Sequence, residues 1–276
     1  MTQSPAPNDL PGHALERLKG LRRQGQPGGV FTSDFSVNEF LLVRKAGFEP
    51  VGLCVGSCIY HVGFQWSVTL GSQELQLLSQ AMYDARERAM TRLREEAAAM
   101  GADGVVGVRL TVKHQSWNKD VLEFVAIGTG IVHAGRGTAF RGAKGLPFTS
   151  DLSGQDFWTL LAAGYRPLEL VMGSCVYHVG RRSALKTVLQ AGLNTELTNF
   201  SQALYDAREI AMERMQQEAA AVQAEGVVGV DLHEDSHIWK PHIIEFFAVG
   251  TAVVPIGTEQ PASAIPDPQL MLLVNS

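Results

Sequence analysis

Two cysteine–histidine pairs carry the sharpest chemistry in this sequence. Cys58 and His61 lie in Gly56-Ser-Cys-Ile-Tyr-His-Val-Gly63, and Cys175 and His178 lie in Gly173-Ser-Cys-Val-Tyr-His-Val-Gly180. A thiolate and an imidazole are good ligands for zinc or copper, and two such pairs brought together would supply four ligands. The same pair could serve as a nucleophile and its base. The plainer alternative is a cysteine buried in a strand and a histidine at its end. In a regular strand, residues i and i+3 point to opposite faces, so one ion takes both only where the strand ends or bulges. The flanking Gly56 and Gly63 permit such a break. No third group near either pair stands out to orient the imidazole, which weighs against a cysteine-dependent enzyme.

A second cluster comprises His233, Glu234, Asp235, His237 and His242, with Glu245 beyond them. A turn centred near Ile238-Trp239 would set His233 about opposite Glu245, a carboxylate–imidazole pair. The equivalent region nearer the N-terminus holds only His114, so this cluster is not part of a shared design, and a solvated polar loop is the plainer account. Glu123 and Glu245 each interrupt an apolar strand, where a carboxylate needs a partner or an edge. Arg86 or Arg208 is the candidate partner. No HExxH, GxSxG or CxxC occurs, and Gly104-Val-Val-Gly-Val lacks the Lys-Ser/Thr of a phosphate loop.

The elements that must position these groups are repeated. Phe31-Thr-Ser-Asp34 recurs as Phe148-Thr-Ser-Asp151, and the offset of 117 holds through the two Gly-Ser-Cys segments. From Tyr83-Asp-Ala-Arg-Glu87 and Tyr205-Asp-Ala-Arg-Glu209 onward the offset is 122, so the second copy carries five extra residues between His178 and Ser201. An insertion there belongs in a loop. Each copy opens on a short helix. Ser36-Val-Asn-Glu39 has the capping-box pattern, Ser153-Gly-Gln-Asp156 is a weaker version, and Gly47 and Gly164 close the two helices. A strand over 51–62, or 168–179, follows. A long helix over 74–100, or 197–223, then has one apolar face through Leu78, Met82, Ala85, Ala89, Leu93 and Ala97. Val106, Val108, Leu110 and Val112 alternate with polar residues or glycine, which predicts the first strand of a closing hairpin. Its partner strand runs over 121–131, or 243–253. The fold class expected is α+β: two tandem β-α-β-β units, each a two-layer sandwich on an antiparallel sheet with a short N-terminal helix.

The boundaries that follow are a mobile segment over 1–30, a first unit over 31–133, a linker over 134–147, a second unit over 148–255 and a Pro-rich tail over 256–276. The tail carries Pro261, Pro266 and Pro268 and then the apolar run Leu270, Met271, Leu272, Leu273 and Val274. Such an end either docks on its own or a sister subunit, the plainer case, or serves as a short ligand for another protein.

Composition bounds the function. Hydrophobic residues at 45% are enough to build cores, and a net charge of −5 leaves no large basic field for nucleic acid or an anionic membrane. No apolar run reaches the ~20 residues of a membrane span, and the polar N-terminus lacks a signal peptide, which predicts a cytoplasmic protein. Three cysteines are too few for a disulfide framework.

The helix Ala85-Arg-Glu-Arg-Ala-Met90, the segment Gly101-Ala-Asp-Gly-Val-Val-Gly-Val108 and the strand end Ala126-Ile-Gly-Thr129 together resemble the YbjQ-like family, which carries a heavy-metal-binding label. The second copy keeps Gly226-Val-Val-Gly-Val230 and Ala248-Val-Gly-Thr251. The resemblance implies a small β-α-β-β fold and ring-like self-assembly, but little about chemistry. Duplication and the Cys-x-x-His pairs depart from its single-domain pattern. The sequence therefore predicts a non-enzymatic oligomeric binding or scaffold protein, with zinc or copper at Cys58, His61, Cys175 and His178 as one version. A module that presents the tail at 270–274 to a protein partner is another, and a Cys/His enzyme a third.

Overall fold

The computed structural model describes residues 10, 12–21, 30–61, 72–114, 121–135, 139–179, 198–236 and 243–257. A first helix, α1 (Gly12–Leu21), precedes the repeats. The first unit then runs α2 (Val37–Lys45), β1 (Phe48–His61), β2 (Gln73–Glu74), α3 (Gln76–Met100), β3 (Gly104–His114) and β4 (Val121–His133). The second runs β5 (Phe148–Thr149), α4 (Gly154–Ala162), β6 (Tyr165–His178), α5 (Thr198–Ala221), β7 (Gly226–Ser236) and β8 (Ile243–Pro255). The expected α+β architecture is present twice.

Local chemistry sets the boundaries. Ser36 accepts from the Glu39 backbone N–H while the Glu39 carboxylate accepts from that of Ser36, so the capping box is formed. The Ser153 hydroxyl accepts in the same way from the Asp156 N–H. Gly47 and Gly164 follow their helices with φ of 89° and 83°, a conformation that costs a glycine little. Gly101 ends α3 in the same region, and after α5 the non-glycine Gln223 adopts it at φ 58°.

The alternation expected through Val106–Val112 does not run unbroken. Gly107 sits at φ +70° in a register shift between Val106 and Arg109, and Gly229 repeats this between Val228 and Asp231. The first bulge re-aims its strand, so that Val105 and Val108, three residues apart, share the core under α3.

The layers stack as sheet, helix, sheet, helix. α3 lies on one face of the first sheet, and its opposite side packs on Leu170, Met172, Val176, Phe247 and Val249 of the second. α5 covers the other face of that second sheet. The units also exchange strands. The first sheet has the order β1-β4-β3-β5 and the second β2-β6-β8-β7. Thus β2 of the first unit pairs with the edge of β6, and β5 of the second unit pairs in parallel with β3. A third cluster joins Val43, Phe48, Val106, Phe148 and Phe157 between α2, α4 and the β3 edge. No described helix is long and apolar enough to cross a membrane.

Candidate functional site

The repeated Gly-Ser-Cys-x-Tyr-His segments form the C-terminal halves of β1 and β6. Close packing and backbone hydrogen bonds fix the first residues of each segment. A Cβ added at Gly56 would lie 1.9 Å from the Ala89 carbonyl oxygen, and one at Gly173 would lie 2.0 Å from that of Ala211. The glycines therefore let α3 and α5 rest directly on their strands. The next carbonyls, of Ser57 and Ser174, accept from Arg92 and Arg214 at 2.5 and 2.6 Å. The Tyr177 hydroxyl donates to Asp206 at 3.3 Å.

Both candidate cysteines face inward. Cys58 is buried in the core under α3, opposite Phe124, and Cys175 is buried in the separate core under α5, opposite Phe246. Burial pushes the Cys58 thiol up, and pushes the Cys175 thiol up to about 12. Cys54 is core as well. His61, three residues beyond Cys58, is exposed, and His178 is half-buried. Strand alternation thus separates each sulfur from its imidazole, and the two sulfurs occupy different cores. Protonated thiols sealed in hydrocarbon are poor ligands and poor nucleophiles. Among the described residues no group of three or more His, Cys, Asp or Glu is placed to hold a metal ion.

The second cluster is also rearranged. His233 stands opposite Phe247, not Glu245, and Glu245 stands opposite Asp235. The register, with Leu232 opposite Ala248, is two residues away from the one that would set His233 against Glu245. His233 Nε2 lies 3.1 Å from Asp231 at the surface. His237, His242 and the tail residues 270–274 lie outside the described residues.

Glu245 instead belongs to a buried polar centre between the units. Arg86 of α3 reaches across to donate to Glu245 Oε1 at 2.6 Å and to the Ser174 hydroxyl at 3.2 Å, and Ser174 itself donates to Glu245 at 2.9 Å. The guanidinium lies over Phe247 at 4.0 Å and Phe124 at 5.5 Å. Around it, the Tyr83 hydroxyl donates to Glu218, Arg94 pairs with Glu169, and Arg214 pairs with Glu74 at 2.6 Å. Burial raises the carboxyl of Glu218, and the Tyr83 and Met172 hydrogen bonds work against that rise. Arg86 was a candidate partner for a strand glutamate from sequence. Its reach into the other unit was not legible there. These are all groups that fasten one unit to the other.

Residues 58–134 and 163–255 both match the model of the YbjQ family, whose description reads "Putative heavy-metal-binding". The chain belongs to the YbjQ family. It is 45% identical over 240 residues to Encapsulin nanocompartment protein Rv1762c of Mycobacterium tuberculosis, covering 87% of this chain and 89% of that one. It is 35% identical over 95 residues to a UPF0145 protein of Halorubrum lacusprofundi, covering 33% of this chain and 89% of that protein. The second relative is therefore about one unit long, and the first spans the duplication. The donor set present in this YbjQ protein does not fit the thiophilic ion that the family description suggests, because its sulfurs and imidazoles diverge.

Proposed function

We propose that this protein is a non-enzymatic, self-associating cytoplasmic scaffold that docks on an encapsulin-type nanocompartment through its C-terminal segment. The observation that carries this reading is the 45% identity, over most of both chains, to a protein named for the encapsulin nanocompartment. The chemistry of the chain supports it. The cysteines of the repeated motif are packed in two separate cores, and the buried charges join the two units. The sequence of the tail has a ligand's form: prolines at 261, 266 and 268 precede the short apolar run at 270–274.

The test is co-expression with an encapsulin shell protein. The full chain should co-purify with assembled shells. Removal of residues 261–276 should abolish that capture and leave the size of the free scaffold unchanged. Equal capture of the truncated chain would overturn the tail's role, and no capture of the full chain would overturn the nanocompartment reading.

A further inference from the structure

Among the described residues, the contact that joins the two units has a second, unmatched half on each unit. Inside the chain, Phe148 and Thr149 pair in parallel with Gly104 and Val105 at the β3 edge. The Gly107 and Val108 N–H groups then donate to Leu152 and Ser150 at 3.0 and 2.9 Å. The Phe148 ring lies on Gly104 so closely that a Cβ there would meet a ring carbon at 2.1 Å. Phe148 in turn stacks on Phe157, with centroids 5.8 Å apart.

The same parts exist a second time without each other. Phe31 and Phe40, the counterparts of Phe148 and Phe157, stack at 5.7 Å, but Phe31 is 45% exposed. The segment that carries Phe31 is held in the same pose as its counterpart. The Asp34 N–H donates to the Thr129 hydroxyl at 3.1 Å, and the Asp151 N–H donates to that of Thr251 at 3.2 Å. The Phe35 and Leu152 N–H groups donate to Ser33 and Ser150 in turn. At the other end, β7 is the edge of its sheet. Its Gly226, the counterpart of Gly104, has nothing within 4 Å of where a Cβ would stand. Val230 is 43% exposed, against 3% for its counterpart Val108.

We propose that the β7 edge and the open space at Gly226 receive the Phe31–Phe35 segment of a second copy of this chain, repeating between chains the contact that β3 makes with Phe148–Leu152 within one. A plug and a socket of matched shape, both preformed and both exposed, are what a head-to-tail interface requires. The remaining face of the joint agrees. Val176 is fully buried by the Ser79 turn of α3, whose hydroxyl accepts its N–H at 2.8 Å, while the counterpart Ile59 is 64% exposed and the counterpart Ser201 lies on α5. The polar pairs are not all repeated. Glu96, the counterpart of Glu218, already accepts from Arg17 of α1, and Glu123, the counterpart of Glu245, faces Lys113 across its hairpin. The strand edge and the aromatic plug therefore carry the association. Such a contact closes into a ring where its rotation divides a full turn and otherwise extends as a filament.

This inference deepens the self-association in the proposed role and rests on it. Sedimentation velocity of the full chain at micromolar concentration should show species of two or more chains. Gly226→Val fills the socket at a site with room for it, and Phe31→Ala removes the plug at an exposed position. Each variant should keep the circular dichroism spectrum and the thermal transition of the fold, and each should weaken association at least about tenfold, which is ~1.4 kcal/mol. A monomeric wild-type chain would overturn both this surface and the self-association. A wild-type oligomer that both variants match would leave self-association standing and overturn this surface.

Discussion

At the scale of single residues, burial decides which groups can act. The thiol of Cys175 is held up to about 12 by burial, with Glu74 adding to the rise, and that of Cys58 is raised by burial as well. A raised thiol binds its proton more tightly in the folded chain than in the unfolded one. The stability this contributes is present below the free-thiol range of ~8.5 and is lost as pH rises toward the folded value. Iodoacetamide at pH 8.5 should therefore alkylate the folded chain on the order of a hundredfold more slowly than the chain in urea, by mass spectrometry of quenched samples. Equal rates would show an accessible thiolate. Arg86 is the other decisive residue. Replacing it with alanine leaves Glu245 charged and buried without its guanidinium, and strips a cation from the face of Phe247. Urea unfolding of Arg86→Ala should register a loss of about 3–5 kcal/mol.

These residues also show what a sequence can and cannot display. The repeated Cys-His spacing is plain in the chain, and so is the expectation that i and i+3 diverge in a strand. The flanking glycines suggested a break that would reunite them. Gly56 instead serves the close approach of α3, a contact made by a residue far along the chain. Glu123 and Glu245 were visible as oddities of apolar strands. The partner of Glu245 sits 159 positions away in the other unit, and no local pattern encodes which of two equivalent arginines reaches it.

At the scale of elements, long periodic segments were legible and short ones were not. The caps of the short helices, the two long helices and the hairpins follow from capping residues and from apolar periodicity. The strand exchange involves β2 and β5, two residues each, too short to show any period. The bulge at Gly107 was hidden because a glycine at a polar position in an alternating run looks ordinary. The helix-to-strand contact is the tightest joint in each unit. Gly173→Ala would drive a methyl group into the Ala211 carbonyl, a backbone atom that cannot step aside. A loss on the order of 3 kcal/mol in urea unfolding is expected, whereas alanine at the open Gly226 should leave stability nearly unchanged.

At the scale of the whole molecule, the duplication yields a single body. α3 lies between two sheets and belongs to both cores, and each unit completes the sheet of the other. Units of about a hundred residues bury a modest share of their surface alone, so this interlocking supplies what each lacks. The size measurements on the Gly226→Val and Phe31→Ala variants and on the tail truncation address this scale, because they ask whether assembly and capture are separable.

Fusion has a further consequence at the joint of α2 and α4. Gly154 approaches Glu39 and Val43 closely, with a would-be Cβ 2.8 Å from the Glu39 Cβ, yet its counterpart in the first unit is Val37 and the counterpart of Glu39 is the shorter Asp156. A chain of one unit must use one set of residues for every seam it makes. Here the seam between the units and the proposed seam between chains are written at different positions in the same gene, so mutation can harden one and leave the other soft.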